Sequence, residues 1–309
     1  MKISEIIGER TWKFGPEQPT LGLDLGSRAS KGVLLHRDQI YAVQIPTGYY
    51  MQETADELLA KLTEKAGLNR SDIVFIVGTG YGRITLKYDD IAYKVVTEIT
   101  CHAMGSHALY PNARTIIDIG GQDSKAIKID PTTGKVIEFV MNDKCAAGTG
   151  RFLEKAAQLL DLDLHDLGDF SLKATAPSPI SSQCVVFAES EMISLRARGQ
   201  REKDNNSLAN IAAGIHYSSA RRVKNLLGRV GIESDLVFSG GVSNNPGMWK
   251  VLEDVLEAKF APPTKLDMIF AGALGAAVFA GRYSVSAGQR HKASHTHAAA
   301  AHGEPVLQA

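Results

Sequence analysis

The sequence is poor in cysteine and carries no net charge, and each feature excludes broad classes of protein. Its 309 residues include only three cysteines, Cys101, Cys145 and Cys184, a number too small and odd for a disulfide framework. The 34 basic residues balance 34 acidic ones, so no overall field attracts the chain to nucleic acid or to an anionic membrane. If the thiols matter, metal or redox chemistry is their expected role.

Signals for membrane insertion, for secretion and for two common nucleotide folds are also missing. The longest apolar stretch, near residues 271–280, is interrupted by glycines and is predicted to be too short to cross a bilayer. The N-terminal segment lacks the apolar centre of a signal peptide. The sequence has neither the G-x-x-x-x-G-K-[ST] pattern of a P-loop nor a G-x-G-x-x-G pattern between a strand and a helix. We therefore expect a cytoplasmic protein with no membrane span and no nucleic-acid partner.

One pattern of strands and turns occurs twice along the chain. Each copy has three successive apolar strands followed by a helix, and its first strand delivers an aspartate into a glycine turn. The first copy predicts strands over residues 20–26, 31–37 and 39–46 and a helix over 52–66, and the second predicts strands over 114–121, 124–130 and 135–142 and a helix over 148–160. The repetition indicates a duplicated α/β domain.

The repetition divides the chain into two similar halves with a further segment at either end. We predict an N-terminal extension over residues 1–19, a first subdomain over 20–112 and a second over 113–283, which carries Cys145 and Cys184. Residues 284–309 are rich in alanine and histidine, and we expect them to form a disordered tail.

The two aspartate turns have the composition of phosphate-binding loops. Glycines let backbone N–H groups approach a phosphate with no Cβ in the way. The first turn and the strand after it provide Asp24, Gly26, Ser27, Ser30 and Lys31, and the second turn provides Asp118, Gly120, Gly121, Gln122 and Asp123. A single glycine turn is common in hairpins that bind nothing, but two parallel copies followed by a third turn favour a nucleotide site.

The acidic residues of these turns have predicted roles in ATP hydrolysis. Asp24 and Asp118 are expected to face each other across a cleft beside Mg²⁺, which keeps several waters and takes few carboxylates. Gln122 and Asp123 are expected to orient the attacking water.

The remaining polar residues are predicted to bind the nucleotide. Ser27, Ser30 and Lys31 are expected to donate to the β- and γ-phosphates. A third turn, which contains Gly240, Gly241 and Asn244, has the composition to lie against an adenosine.

Cys145 and Cys184 each precede a predicted helix. A helix N-terminus carries partial positive charge and free N–H groups, which favour a thiolate and suit an anionic iron–sulfur centre. A 4Fe-4S cluster takes four thiolates, so a symmetric dimer would supply the other two. From spacing alone, small buried cysteines are the better explanation, because 39 residues is no standard distance between ligands.

The glycine turns resemble those of the actin, hexokinase and heat-shock ATPase superfamily over roughly residues 20–282. That two-domain, ribonuclease H-like α/β fold places a nucleotide in the cleft between its domains. Longer segments narrow the resemblance: GLDLGSRASK, DIGGQDSK, TEITCHAMG, KCAAGTGRFLE and SSQCVVFAESE. With them the chain is similar to the BadF/BadG/BcrA/BcrD ATPases, which comprise activators of 2-hydroxyacyl-CoA dehydratases and ATP-binding subunits of benzoyl-CoA reductase.

The resemblance implies cofactors and partners. ATP hydrolysis would drive low-potential one-electron transfer from a 4Fe-4S cluster held by Cys145 and Cys184 of both subunits in a homodimer or pseudo-symmetric heterodimer. The partners implied are a CoA-ester reductase or dehydratase and a ferredoxin or flavodoxin donor. Gly148, Gly150 and Glu154 would link the cluster helix to the nucleotide, and Gly272 is added to the expected nucleotide contacts.

Several alternatives stay open at this point. A small-molecule kinase of the same superfamily, or a nucleotide-switched scaffold without catalysis, fits the turns without needing a cluster. Cys101 is expected to be core packing rather than a ligand. The glycine-rich residues 78–83 are equally well explained as a hinge, a partner contact or a plain turn.

Overall fold

The computed structural model describes residues 1–7, 17–181 and 184–300. The strands within these ranges are β1 (Thr20–Leu25), β2 (Ala29–His36), β3 (Gln39–Pro46), β4 (Phe75–Thr79), β5 (Tyr93–Val95), β6 (Thr115–Ile119), β7 (Ser124–Ile129), β8 (Val136–Asn142) and β9 (Leu236–Ser239). The helices are α1 (Met51–Ala66), α2 (Glu98–Leu109), α3 (Gly150–Leu160), α4 (Asp166–Ser171), α5 (Val185–Glu202), α6 (Ser207–Val230), α7 (Pro246–Leu256) and α8 (Ala271–Ala300).

The strands form two sheets that share one topology. One sheet has the order β3-β2-β1-β4-β5, and the other has the order β8-β7-β6-β9. In both, the first strand pairs antiparallel with the second and parallel with a later strand, β4 or β9. The duplicated α/β architecture expected of the actin, hexokinase and heat-shock ATPase fold is therefore confirmed. The short edge strand β5 escaped the sequence analysis because three residues carry too little periodicity.

Two helices, α2 and α8, join the halves. One apolar core contains Val33 of β2, Ile116 of β6 and Ala273 of α8, so side chains of both sheets meet around these helices. Helix α8 packs against β1 and β4, and a Cβ on Gly22 would lie 2.1 Å from the carbonyl oxygen of Ala273. The end of the predicted second subdomain, residues 271–283, therefore returns to the first sheet.

The N-terminal residues add to the edge of the first sheet. The N–H of Ile3 donates to the carbonyl of Asp38 at 3.1 Å, and the N–H of Ile40 donates to the carbonyl of Met1 at 2.7 Å. Ile3 is fully buried in the same core as Val33. Residues 1–7 of the predicted extension are thus part of the fold, while 8–16 lie outside the described residues.

Helix α8 runs into the C-terminal segment, whose disorder stays a prediction. Helix α8 continues to Ala300, past the predicted boundary at residue 284, and alanine is the strongest helix former. Residues 301–309 lie outside the part of the chain that the structure describes. Within the described residues, Met268–Ser286 is longer than the apolar stretch predicted from sequence and is apolar enough to span a membrane, but most of it is buried inside the fold.

Candidate nucleotide site and cysteine loops

A cleft of about 620 Å³ opens between the two sheets. Most of the residues that the sequence analysis assigned to ATP line this cleft. They are Asp24, Gly26, Ser27, Lys31, Asp118, Gly120, Gly121, Gln122, Asp123, Gly150, Glu154, Gly240, Gly241 and Asn244. The strands β1 and β6 bring their turns to the same opening because the two sheets have the same topology.

Each half contributes a buried aspartate paired with a lysine on the next strand. Asp24 of β1 lies opposite Lys31 of β2, and the lysine Nζ is 2.8 Å from its Oδ2. Asp118 of β6 lies opposite Lys125 of β7, with the lysine Nζ 3.3 Å from its Oδ2. The two aspartates are 2% and 1% exposed, so their carboxylates form the floor of the cleft.

A glycine stands behind each aspartate and leaves room for its carboxylate. Gly80 after β4 has φ +83°, and Gly240 after β9 has φ +87°. A Cβ there would lie 2.5 Å from Oδ1 of Asp24 or 2.9 Å from Oδ1 of Asp118, respectively. Glycine is therefore required at both positions for conformation and for space. Gly80, within the segment of residues 78–83, thus has a role in the site that the sequence analysis left open.

Charges around Asp118 keep it ionised although burial opposes this. Burial favours the neutral carboxyl, but the nearby His102 and Lys125 outweigh it and hold the pKa of Asp118 well below its usual range. Burial likewise disfavours the Lys125 ammonium, but Asp118, Glu98 and Asp123 raise the pKa of that lysine. Burial raises the pKa of Asp123, whose Oδ2 is 2.7 Å from the Lys125 Nζ.

Helix α2 adds two polar residues that sequence reasoning missed. The imidazole of His102 has its Nδ1 3.0 Å from Oδ1 of Asp118 and its Nε2 4.0 Å from Oδ2 of Asp24. One turn earlier, Oε1 of Glu98 accepts from the Lys125 Nζ at 2.9 Å. Their i, i+4 spacing on the last helix of the predicted first subdomain was the available signal.

The two phosphate turns meet across the cleft. A Cβ on Gly121 would lie 2.9 Å from Cγ of Arg28 and 3.5 Å from Oγ of Ser27. The guanidinium of Arg28, in the first turn, also donates to the carboxylate of Glu154 on α3. Arg28 was not predicted as a site residue, although it belongs to the GLDLGSRASK segment.

Three predicted nucleotide contacts do not line the cleft. Ser30 is fully buried, and its hydroxyl lies 2.8 Å from Oγ1 of Thr47, because neighbouring residues of a strand point to opposite faces and Lys31 takes the cleft side. Gly148 faces α6, where its Cβ would lie 3.1 Å from Cγ of Arg222. Gly272 lies behind the cleft, against His102.

The wall near the third turn contains further residues that were not predicted. Leu164 and His165 between α3 and α4, and Ile269 before α8, line the cleft together with Asn244. They come from segments without glycine turns or strand patterns, so only the tertiary structure reveals them.

The two half-buried cysteines lie in the segments that precede two neighbouring helices, α3 and α5. Cys184 is the N-cap residue of α5, as predicted. Cys145 lies in the loop between β8 and α3, five residues before the helix begins at Gly150, so its predicted position directly before a helix is wrong. Gly148, with φ +84°, turns the chain in this loop and delays the helix. Helices α3 and α5 contact each other.

Hydrogen bonds connect the Cys145 loop to the second phosphate turn. The side-chain amide of Asn142 donates to the carbonyls of Cys145 at 2.7 Å and Ala147 at 3.1 Å. The N–H of Gly150 then donates to the carbonyl of Gly120 at 2.9 Å, and that of Arg151 to Gly121 at 2.8 Å. The loop that carries Cys145 and the turn that faces the cleft therefore form one bonded unit.

Cys101 is fully buried on α2, as expected for core packing. Burial raises the pKa of its thiol to about 12, so the thiol stays protonated and unreactive.

Known proteins resemble this chain over most of its length. The activator of lactoyl-CoA dehydratase from Anaerotignum propionicum is 45% identical over 271 residues, which cover 84% of this chain and 96% of that protein. The 2-hydroxyisocaproyl-CoA dehydratase activator of Clostridioides difficile is 42% identical, with 84% and 94% covered. A subunit of the benzoyl-CoA reductase of Thauera aromatica is 34% identical, with 84% and 92% covered.

A solved structure and a family model agree with these relatives. The activator of the 2-hydroxyisocaproyl-CoA dehydratase from Clostridium difficile, solved with bound ADPNP, superposes with a TM-score of 0.79 at 38% identity, covering 94% of this chain and 100% of that one. The model of the BadF/BadG/BcrA/BcrD ATPase family matches residues 21–280. The chain belongs to the BadF/BadG/BcrA/BcrD ATPase family.

Proposed function

We propose that this protein is an ATP-driven activator that passes single electrons to a 2-hydroxyacyl-CoA dehydratase. The observation that carries the proposal is the hydrogen-bonded connection between the phosphate turn at Gly120–Gly121 and the loop of Cys145. A change of nucleotide in the cleft acts on that turn, and the bonded unit transmits the change to the thiol. A cytoplasmic location and a ferredoxin or flavodoxin donor are part of the same proposal.

The cleft fits ATP with Mg²⁺. Backbone N–H groups of the glycine turns and the ammonium of Lys31 suit the phosphates, and Asp24 and Asp118 suit a hydrated Mg²⁺. Gln122 is exposed in the cleft wall, where its amide is free to orient a water. Asp123 is held by Lys125, so its role is to fix the turn rather than to accept a proton.

The two half-buried thiols fit an iron–sulfur centre shared between subunits. Cys145 and Cys184 are free and partly exposed; Cys184 is the N-cap residue of α5, and Cys145 lies in the loop before α3. When bound, a 4Fe-4S cluster supplies a one-electron carrier whose potential depends on local hydrogen bonds, charge and exposure. The chain's own part is to hold the thiolates and to change their surroundings as Arg28 and Glu154 move together or apart.

The surface around Cys184 fits a contact between two copies of the chain. Val186 and Phe187, in the first turn of α5, are 67% and 64% exposed. Large apolar side chains grouped on a surface indicate a protein contact. A second copy of this chain that buries them would bring its own cysteines to the same place.

The relatives favour the dehydratase activator over the other candidates. The two activators are 45% and 42% identical to this chain, against 34% for the relative from benzoyl-CoA reductase. A small-molecule kinase or a scaffold has no use for the paired cysteine loops. A colourless protein that phosphorylates a metabolite would favour the kinase.

Anaerobic purification tests the proposal. We expect a brown protein with about four iron and four sulfide per two chains, bleached by air. With a reductant present, adding ATP should allow it to reduce and activate a purified 2-hydroxyacyl-CoA dehydratase, and ADP should not. Protein that hydrolyses ATP but neither contains nor takes up iron and sulfide contradicts the electron-transfer function.

Replacing Gly241 with alanine is expected to weaken ATP binding without disturbing the fold. A Cβ on Gly241 meets nothing within 4 Å, so the methyl group enters the cleft where we expect the adenosine. One methyl group that obstructs a ligand lowers its affinity about tenfold or more. We therefore expect a higher KM for ATP and an unchanged melting temperature, measured by initial rates and thermal unfolding.

Gly228→Ala is the matched control. Gly228 is exposed on α6, and its Cβ also meets nothing within 4 Å. We expect the melting temperature to rise slightly, because alanine is about 1 kcal/mol better than glycine in a helix. An unchanged KM in Gly241→Ala would show that the nucleotide does not approach the third turn.

Replacing Phe187 with aspartate is expected to dissociate the dimer. The charge would be buried against the second copy and left unpaired, which is costly. Sedimentation under anaerobic conditions should show a monomer that has lost its iron. Ile84→Asp is the control, since Ile84 is 81% exposed but lies on the first domain after β4, and this variant should stay dimeric. A dimeric, iron-loaded Phe187→Asp protein would place the interface elsewhere.

A further inference from the structure

The imidazole of His102 lies between the two aspartates that come from opposite domains. Its Nδ1 is 3.0 Å from Oδ1 of Asp118, and its Nε2 is 4.0 Å from Oδ2 of Asp24. Each aspartate also has a partner of its own, since Lys31 contacts Asp24 and Lys125 contacts Asp118. Among the described residues with ion-pair contacts, His102 is the side chain that contacts both carboxylates.

The position of the His102 ring is fixed from behind. A Cβ on Gly272 would lie 2.7 Å from the ring Nε2 and 3.0 Å from Oδ2 of Asp24. The backbone of α8 therefore lies directly against both groups. The ring itself is only 5% exposed at its side chain. A buried ring held by two helices has little freedom to change its rotamer, and its distances to the carboxylates change only when the domains move.

We infer that His102 is a positioning residue that sets the separation of the Asp24 and Asp118 carboxylates and thereby fixes the hydrated Mg²⁺ against the phosphates of ATP. Gly272 is part of the same arrangement, because any side chain there would displace the ring. This inference rests on the proposed ATP site but not on the cluster. It also gives Gly272 a function behind the cleft, in place of the predicted contact with nucleotide.

Substitutions that keep one nitrogen at a time test the arrangement. In His102→Asn the amide nitrogen lies near the position of Nδ1, so the contact to Asp118 is kept. The contact that Nε2 makes with Asp24 is lost. In His102→Gln the side-chain amide extends to the position of Nε2, so the contact to Asp24 is kept and the contact to Asp118 is lost. His102→Leu keeps the bulk of the ring without a polar atom. The measurements are kcat and KM for ATP at saturating Mg²⁺, the Mg²⁺ concentration for half-maximal rate, and the melting temperature.

We expect the His102 variants to change kcat and the Mg²⁺ requirement but not the KM for ATP. The KM for ATP should change little, because the glycine turns and Lys31 are untouched. The kcat of His102→Leu should fall about a hundredfold, since misplacing reacting groups by about 1 Å costs that much. The Mg²⁺ requirement should rise in all three variants, least in His102→Asn.

Two results overturn the inference. One is a kcat and an Mg²⁺ dependence in folded His102→Leu that equal those of the wild type. If that variant does not fold, the same result in both His102→Asn and His102→Gln overturns the inference. The other is an equal loss in all variants that follows the fall in melting temperature, which would mean that the ring only fills space. Either result leaves the proposed function intact if the wild type still carries iron and activates a dehydratase. Wild-type protein that hydrolyses ATP but lacks iron would contradict the proposed function and leave the inference about His102 intact.

Discussion

Cys184→Ser is expected to remove the iron and sulfide completely while ATP hydrolysis continues. Cys184 is the N-cap residue of α5 and lies outside the cleft, so a hydroxyl in its place leaves the nucleotide contacts unchanged. A serine hydroxyl is a poor ligand for an iron–sulfur cluster, which is held by thiolates. The measurements are iron and sulfide content, visible absorbance and ATPase rate of anaerobically purified protein. Cys145→Ser should behave in the same way.

Cys101→Ala is the matched control for the cysteine variants. The thiol of Cys101 is fully buried, and its pKa is raised to about 12 by burial, so it does not supply a thiolate. We expect full iron content and a loss of only about 1 kcal/mol in stability from the small cavity. A cluster retained in Cys184→Ser, or lost in Cys101→Ala alone, would contradict the assignment of ligands.

Lys125→Met is expected to destabilise the protein by about 3–5 kcal/mol, the usual cost of removing one partner of a buried ion pair. The Lys125 side chain is 2% exposed, and its Nζ lies 2.7 Å from Asp123, 2.9 Å from Glu98 and 3.3 Å from Asp118. Methionine fills similar space but leaves three carboxylates facing one another. The free energy of unfolding in urea measures the loss, and ATP hydrolysis should be lost with it.

Lys128→Met on the same strand is the control. Lys128 pairs with Glu233 at the surface, and its side chain is 26% exposed, so we expect a change below about 1 kcal/mol. The pH dependence adds a second check. The pKa of Asp118 is lowered in the folded protein, so its contribution to stability is present at neutral pH and is lost as the pH falls below about 4. The difference between Lys125→Met and the wild type should therefore narrow in acid; a constant difference would mean that Lys125 acts by packing alone.

Much of the fold was predictable because the chain repeats itself. The aspartate and glycine turn at the end of β1 recurs at the end of β6, and that repetition indicated a duplicated α/β domain. The packing of α8 against the first sheet was not predictable, because the small residues in the buried part of this helix show no amphipathic pattern. Likewise, all residues from Cys101 to Leu109 of α2 are buried, so no polar face singled out His102.

The errors in the site came from different physical causes. Ser30 was assigned to the phosphates although strand alternation places it on the face opposite Lys31. The helix after Cys145 begins late because Gly148 adopts a left-handed conformation, which the sequence permits without requiring. Arg28 and Glu154 are 126 residues apart in sequence, so only the tertiary structure brings them together.

The crossing of α2 and α8 determines how the cleft is able to open. At this crossing the backbones touch directly, since a Cβ on Gly105 would lie 1.8 Å from the carbonyl oxygen of Ala271, and one on Gly275 would lie 1.8 Å from that of Cys101. No layer of side chains lies between the helices at these points to slide or repack. Opening of the cleft therefore has to turn about this contact, and it would separate the guanidinium of Arg28 from the carboxylate of Glu154 at the rim.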